Sequence, residues 1–122
     1  MRILIVEDTD EIRDLFTVLL TEEGAKVTSA ANGHDAIAAA AGADFDVLLT
    51  DLGLPDIPGD FVIRAVLGRT RRRPRVIVVT GYGEPYQARA LEAGADAVLT
   101  KPVSWSTLLR HLGLPERDRV AA

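Results

Sequence analysis

The chain has 122 residues, 48% of them hydrophobic, a formal charge of −4 and no cysteine. That length fits one domain with a sizeable core. The acidic balance gives no general reason for nucleic-acid or membrane binding and directs attention to protein partners or a cation. Without cysteine there are no disulfides, thiolate metal sites or thiol nucleophiles.

The first apolar run, Arg2 to Val6, ends in Glu7 and Asp8. It is too short for a signal-peptide core or a membrane span, so a cytoplasmic location without membrane insertion is expected. Ile12, Leu15, Phe16, Leu19 and Leu20 then recur at the spacing of one helix face, with Gly24 as a left-handed stop. Lys26 to Ala30 reads as a second strand, the alanine-rich stretch Ala36 to Ala41 as a helix, and Asp46 to Leu49 as a third strand. That strand runs through Asp51 into the breaker cluster Gly53, Pro55, Pro58 and Gly59.

Phe61, Val62, Ala65 and Val66 form the stripe of a third helix closing at Gly68, with Phe16, Phe61 and Trp105 read as core. Arg69 to Arg75 holds five arginines in seven residues and is read as a solvated loop rather than a nucleic-acid patch. Val76 to Val79 is a fourth strand leading to Thr80, Pro85 to Ala93 a fourth helix ending at Gly94, and Ala97 to Leu99 a fifth strand before Lys101. Ser104 is the expected N-cap of a last helix whose face carries Trp105, Leu108, Leu109 and Leu112, with Gly113 as its stop. Residues 1–115 are expected to form one unit and 116–122 a flexible polar tail.

Five strands alternating with five helices predict an α/β fold with one doubly wound parallel sheet. Right-handed crossovers bring every strand's C-terminal end to one edge, where open α/β sheets bind ligands. Glu7, Asp8, Asp51, Thr80 and Lys101 therefore gather there. Carboxylates a few ångströms apart repel by roughly 4 kcal/mol per pair at an effective dielectric near 20, so one must protonate or a cation must bind. Oxygen donors favour a hard cation, Mg²⁺ where a phosphate shares the site. Lys101, one of two lysines among 14 basic residues, and the Thr80 hydroxyl suit phosphoryl oxygens, and Asp51 suits attack on phosphorus.

Val6-Glu7-Asp8, the stretch Asp51 to Gly59, Val79-Thr80-Gly81 and Lys101-Pro102 resemble the response-regulator receiver domain of two-component signalling. Each motif is common, but four in this order at these strand ends are specific. The resemblance implies a flavodoxin-like sheet of order 2-1-3-4-5. It further implies that Asp51 accepts a phosphoryl group from a sensor histidine kinase or a histidine phosphotransfer protein. Mg²⁺ would be held by Asp8, Asp51, the Gly53 carbonyl and, largely through water, Glu7. Lys101 and Thr80 would contact phosphoryl oxygens, and Lys101-Pro102 would be cis.

Such a domain is not an enzyme beyond modifying its own aspartate. Its signal would pass to a partner not named by the sequence, or to a domain outside this chain, through the fourth helix, fifth strand and fifth helix. Direct nucleic-acid binding is not expected. Receivers commonly carry Tyr or Phe three residues before the lysine as a switch that follows the threonine, and here that position is Val98. Valine has no comparable ring to swing, which opens the question of output, with Tyr82 as a candidate for covering the phosphoryl group or feeding the output face. The strings Asp51 to Pro55 and Thr80 to Gly83 look more like hybrid-kinase receivers than DNA-binding regulators. Gly53 removes the general acid of an aspartate-nucleophile phosphatase, and acidic residues after the first strand disfavour a flavin phosphate. A phosphorylation-independent interaction module is the alternative reading.

Overall fold

The computed structural model describes residues 1–114. The tail expected over 116–122, and residue 115, lie outside the described residues. The elements alternate strictly: β1 (Arg2–Val6), α1 (Asp10–Glu22), β2 (Lys26–Ala30), α2 (Gly33–Gly42), β3 (Val47–Thr50), α3 (Gly59–Arg69), β4 (Arg75–Thr80), α4 (Tyr86–Ala93), β5 (Ala97–Thr100) and α5 (Trp105–Leu112). All strand pairs are parallel and the order is β2-β1-β3-β4-β5, as expected.

Period-two alternation sends side chains of the central strands to two separate cores. Leu4, Val6, Leu48, Val76 and Val78 pack with Ala36, Val62, Ile63 and Ala90 of α2, α3 and α4. Ile3, Ile5, Val47, Leu49, Ile77 and Val79 pack with Leu20, Leu108 and Leu112 of α1 and α5. β3 and the apolar part of β4 are buried on both faces, which is why they read as continuous apolar runs.

The ends of the elements follow local chemistry. Ser104 Oγ accepts from the Thr107 amide at 3.2 Å, and Gly113 closes α5 at φ +75°. Gly24 follows α1 at φ +92°, a conformation a side chain would disfavour. Asn32, not singled out in the sequence, caps α2 by accepting from the Asp35 amide at 2.8 Å. Two expectations are corrected. α3 runs past Gly68 to Arg69 and is capped by Thr70 in extended backbone, because Gly68 keeps a negative φ and so does not stop the helix. Phe61 and Leu15 are each 55% exposed rather than core. α3 buries Val62, Ile63 and Val66, which leaves Phe61 on the outer shoulder of its first turn. α1 turns only a narrow stripe inward, with Phe16 and Trp105 half-buried and stacked at 6.4 Å between α1 and α5.

Candidate functional site

The parallel register delivers the polar residues to one rim. Val6 pairs with Thr50, and the Asp51 amide donates to the Val6 carbonyl at 3.1 Å, so Asp51 emerges beside Glu7. The Lys101 amide donates to the Thr80 carbonyl at 2.8 Å, which fixes the lysine one step beyond β5. Residues 101 and 102 are joined by a cis peptide, and so are Glu84 and Pro85, which the sequence reading did not anticipate.

Lys101 Nζ reaches Asp51 Oδ2 at 2.8 Å and Glu7 Oε1 at 3.4 Å. Asp51 Oδ1 accepts from the Leu52 amide at 2.6 Å and the Gly53 amide at 3.3 Å. Burial opposes ionisation of Asp51, but the Lys101 bond, the Gly53 amide, the Lys101 charge and the Thr80 hydroxyl outweigh it and hold the carboxyl below its ordinary value. Glu7 is different. It is 4% exposed, and burial together with hydrogen bonding to Asp8 and the charge of Asp51 raises its pKa against the opposing Thr9 amide and Lys101. Burial also disfavours the Lys101 ammonium, yet Asp51 and Glu7 more than compensate and raise its pKa.

The expected ligands Glu7, Asp8, Asp51 and Gly53 are thus neighbours at one rim, but they are not a finished cage. Among the described residues no three carboxylate or imidazole groups are arranged to hold a metal. Asp51 is oriented by Lys101 and two loop amides, and Asp8 is exposed beside the buried Glu7. Donor chemistry nevertheless fits a hard divalent cation: every side-chain donor is a carboxylate oxygen, and burial with the neighbouring acids disfavours the charged form of Glu7, which a bound cation would favour.

Thr80 is fully buried at the end of β4, and its Oγ1 accepts from the Tyr82 amide at 3.1 Å. Tyr82 is 48% exposed and lays its ring over Gly53, where an added Cβ would come within 2.9 Å of the Tyr82 hydroxyl. Glycine at 53 therefore makes room for this ring, a reason invisible in the sequence. Val98 is half-buried and packs against the core on the α2–α4 side. A cleft of about 310 Å³ runs beside the site between the Leu52–Asp60 loop and Tyr82 and Tyr86.

Sequence reading missed Asp56. Its carboxylate accepts from the Gly33 amide at 2.8 Å, the His34 amide at 2.9 Å and its neighbour Ile57 at 3.0 Å, and it also meets the His34 ring. Burial opposes ionisation, but these donors hold the carboxyl well below the usual range. The clasp pins the loop after β3 to the start of α2. Only its place inside a turn cluster could have flagged it. At the opposite rim Arg72 pairs with Asp46 and Arg73 with Asp96, which confirms the arginine run as exposed and shows it to be tied by ion pairs.

The chain matches the family model described as "Response regulator receiver domain" over residues 3–113. It is 40% identical over 113 residues to the transcriptional regulatory protein TcrA of Mycobacterium tuberculosis, covering 92% of this chain and 44% of TcrA. It spans about half the length of the curated relatives it matches. Among solved structures, a Burkholderia pseudomallei response regulator with a phosphorylated aspartic acid, a calcium ion and citrate superposes with TM-score 0.84 at 26% identity, over 91% of this chain and 65% of that one. The receiver domain of the sensor histidine kinase PA1611 from Pseudomonas aeruginosa, with a magnesium ion in its active-site cleft, gives TM-score 0.82 at 29% identity, over 91% and 93%. Sheet order, rim chemistry and these likenesses agree that the chain belongs to the response-regulator receiver domain family of two-component systems.

Proposed function

We propose that Asp51 is the phosphoacceptor and that the domain promotes transfer of a phosphoryl group to it from a phosphohistidine. The observation that carries this reading is the Lys101 Nζ to Asp51 Oδ2 contact of 2.8 Å in an acidic, partly buried recess. An Asp51 oxygen attacks phosphorus, the P–N bond breaks, and the imidazole nitrogen keeps the electron pair, leaving an acyl phosphate on the protein. Lys101 then neutralises a phosphoryl oxygen, and the Thr80 hydroxyl donates to another. Asp8, Asp51, the Gly53 carbonyl and, through water, Glu7 are the groups that would hold Mg²⁺. When bound, the ion supplies positive charge shared by the carboxylates and the phosphoryl oxygens.

The donor would be a sensor histidine kinase or a histidine phosphotransfer protein in the cytoplasm. Output would pass through α4, β5 and α5. The names of TcrA and PA1611 point to two settings, a regulator of transcription and a kinase-linked receiver, and the higher identity favours the first. Any DNA contact would then belong to a domain outside this chain.

The test is to incubate the protein with Mg²⁺ and a small phosphodonor and follow intact mass, comparing wild type with Asp51→Asn. Wild type should gain one base-labile phosphoryl group and the variant none. A wild type that gains nothing would instead support the phosphorylation-independent interaction module.

A further inference from the structure

The loop after β4 is tied into a ring of hydrogen bonds that phosphoryl transfer itself does not need. Thr80 Oγ1 accepts from the Tyr82 amide at 3.1 Å. The Tyr82 carbonyl accepts from Gln87 Nε2 at 2.7 Å, and the same nitrogen donates to Thr100 Oγ1 at 3.0 Å. A side-chain amide carries two N–H bonds, so one nitrogen serves both acceptors. Thr100 precedes Lys101, whose amide returns to the Thr80 carbonyl at 2.8 Å. The circuit therefore begins and ends on the two residues that flank Asp51.

This circuit lies where the chain lacks the usual switch. Val98 and Thr100 share a face of β5, and Val98 is packed against the core while Thr100 is exposed and reached by Gln87. On the outer side, the Tyr82 and Tyr86 rings meet at 5.3 Å and the Arg89 guanidinium lies 5.7 Å from the Tyr86 ring centre. A shift of the Tyr82 backbone would move this exposed aromatic and cationic surface.

The geometry points to Gln87 as a latch: a positioning residue that holds the β4–α4 loop against β5 at rest and lets go when Asp51 is phosphorylated. The inference rests on the phosphoacceptor reading above. The Thr80 hydroxyl already faces Asp51, and when a phosphoryl group extends that carboxylate and Oγ1 shifts to meet the new oxygen, the Tyr82 amide must follow Oγ1 or lose its acceptor. Gly81 and Gly83 would absorb such a movement, except that Gln87 grips the Tyr82 carbonyl between them. The strain therefore passes to the bonds of Gln87 with Tyr82 and Thr100. Because coupling is reciprocal, a latch that favours the resting state must weaken binding of a phosphoryl mimic by the same factor that its removal restores.

The experiment uses the full chain with Mg²⁺, with and without beryllofluoride as the phosphoryl mimic. Gln87→Met and Thr100→Val remove the latch from opposite ends at partly or fully exposed positions. Amide hydrogen exchange over residues 81–87 and the apparent affinity for beryllofluoride are measured. Wild type should lose protection in this segment when beryllofluoride binds. Both variants should show reduced protection at rest and bind beryllofluoride about 3- to 10-fold more tightly, the equilibrium factor of one hydrogen bond. Reduced protection with unchanged affinity would make the bonds merely structural and overturn the latch. So would a wild-type segment that is indifferent to beryllofluoride in protein that still gains phosphate on Asp51. A wild type that takes up neither phosphate nor beryllofluoride would overturn the phosphoacceptor reading, and the latch with it.

Discussion

Where the strands begin, Arg72 meets Asp46 at 2.8 Å, Arg73 meets Asp96 at 2.9 Å, and Arg75 donates to the His111 carbonyl at the end of α5 at 2.8 Å. Where they end, Lys101 divides one ammonium between Asp51 at 2.8 Å and Glu7 at 3.4 Å, with Asp8 against Glu7. The carboxylates of the first rim are held below their ordinary pKa by amides and arginines acting against burial, whereas burial and neighbouring acids raise that of Glu7. A rim whose charges are matched serves the fold, and one left unmatched is the candidate for receiving something charged. The arginine-rich segment looks like a binding patch in the sequence, yet three of its five arginines serve as ties.

The largest way to break this contrast is Lys101→Ala. It should slow phosphoryl gain on Asp51 about 100-fold or more, the scale expected for losing a donor to developing charge, while the circular-dichroism spectrum stays unchanged. A rate within a factor of two of wild type would place the charge balance elsewhere. Next is Glu7→Gln, which replaces a buried carboxyl whose charged form is disfavoured by burial. It should raise the thermal midpoint of the metal-free protein at pH 7 while weakening divalent-ion affinity about 10-fold in calorimetry. A lower midpoint would mean that the Glu7 charge stabilises the rim.

Asp96→Ala tests the other rim. Asp96 accepts from the buried Val76 amide at 2.7 Å, so the variant should lose about 1–3 kcal/mol in denaturant unfolding while phosphoryl gain is unaffected. The folded pKa of Asp96 is depressed, so its contribution is present above the unfolded value and lost as pH falls through the folded one. Wild type should therefore lose more stability than the variant on acidification below about pH 4. The smallest effect belongs to Arg72→Ala. That guanidinium is largely exposed, and its loss should change stability by about 0.5 kcal/mol or less, with the difference shrinking in salt. An Arg72 effect larger than that of Asp96 would reverse the ranking.

Much of this was legible in the sequence because it rests on local periodicity and order. Apolar runs set by period two, helix faces set by period 3.6 and glycine stops at 24, 94 and 113 gave the alternation. Strand ends then gave Glu7, Asp51, Thr80 and Lys101. Helix stripes were read too generously, since spacing names a face but not how wide the neighbouring sheet will cover it, and Leu15 and Phe61 stayed outside. Asp56 and Gln87 were illegible for another reason. Each looks like an ordinary polar residue of a turn or an exposed helix face until the fold supplies the distant amides or hydroxyl that it binds.

The sequence by itself determined the parallel α/β layout and which polar residues gather at the rim, because both follow from which residue types stand at which strand ends. Only the tertiary structure decided how those residues share charge, that Gly53 yields space to Tyr82, and that Gln87 joins the loop after β4 to β5. Those facts depend on contacts between segments far apart in the chain, and burial and hydrogen bonding act only after such segments meet.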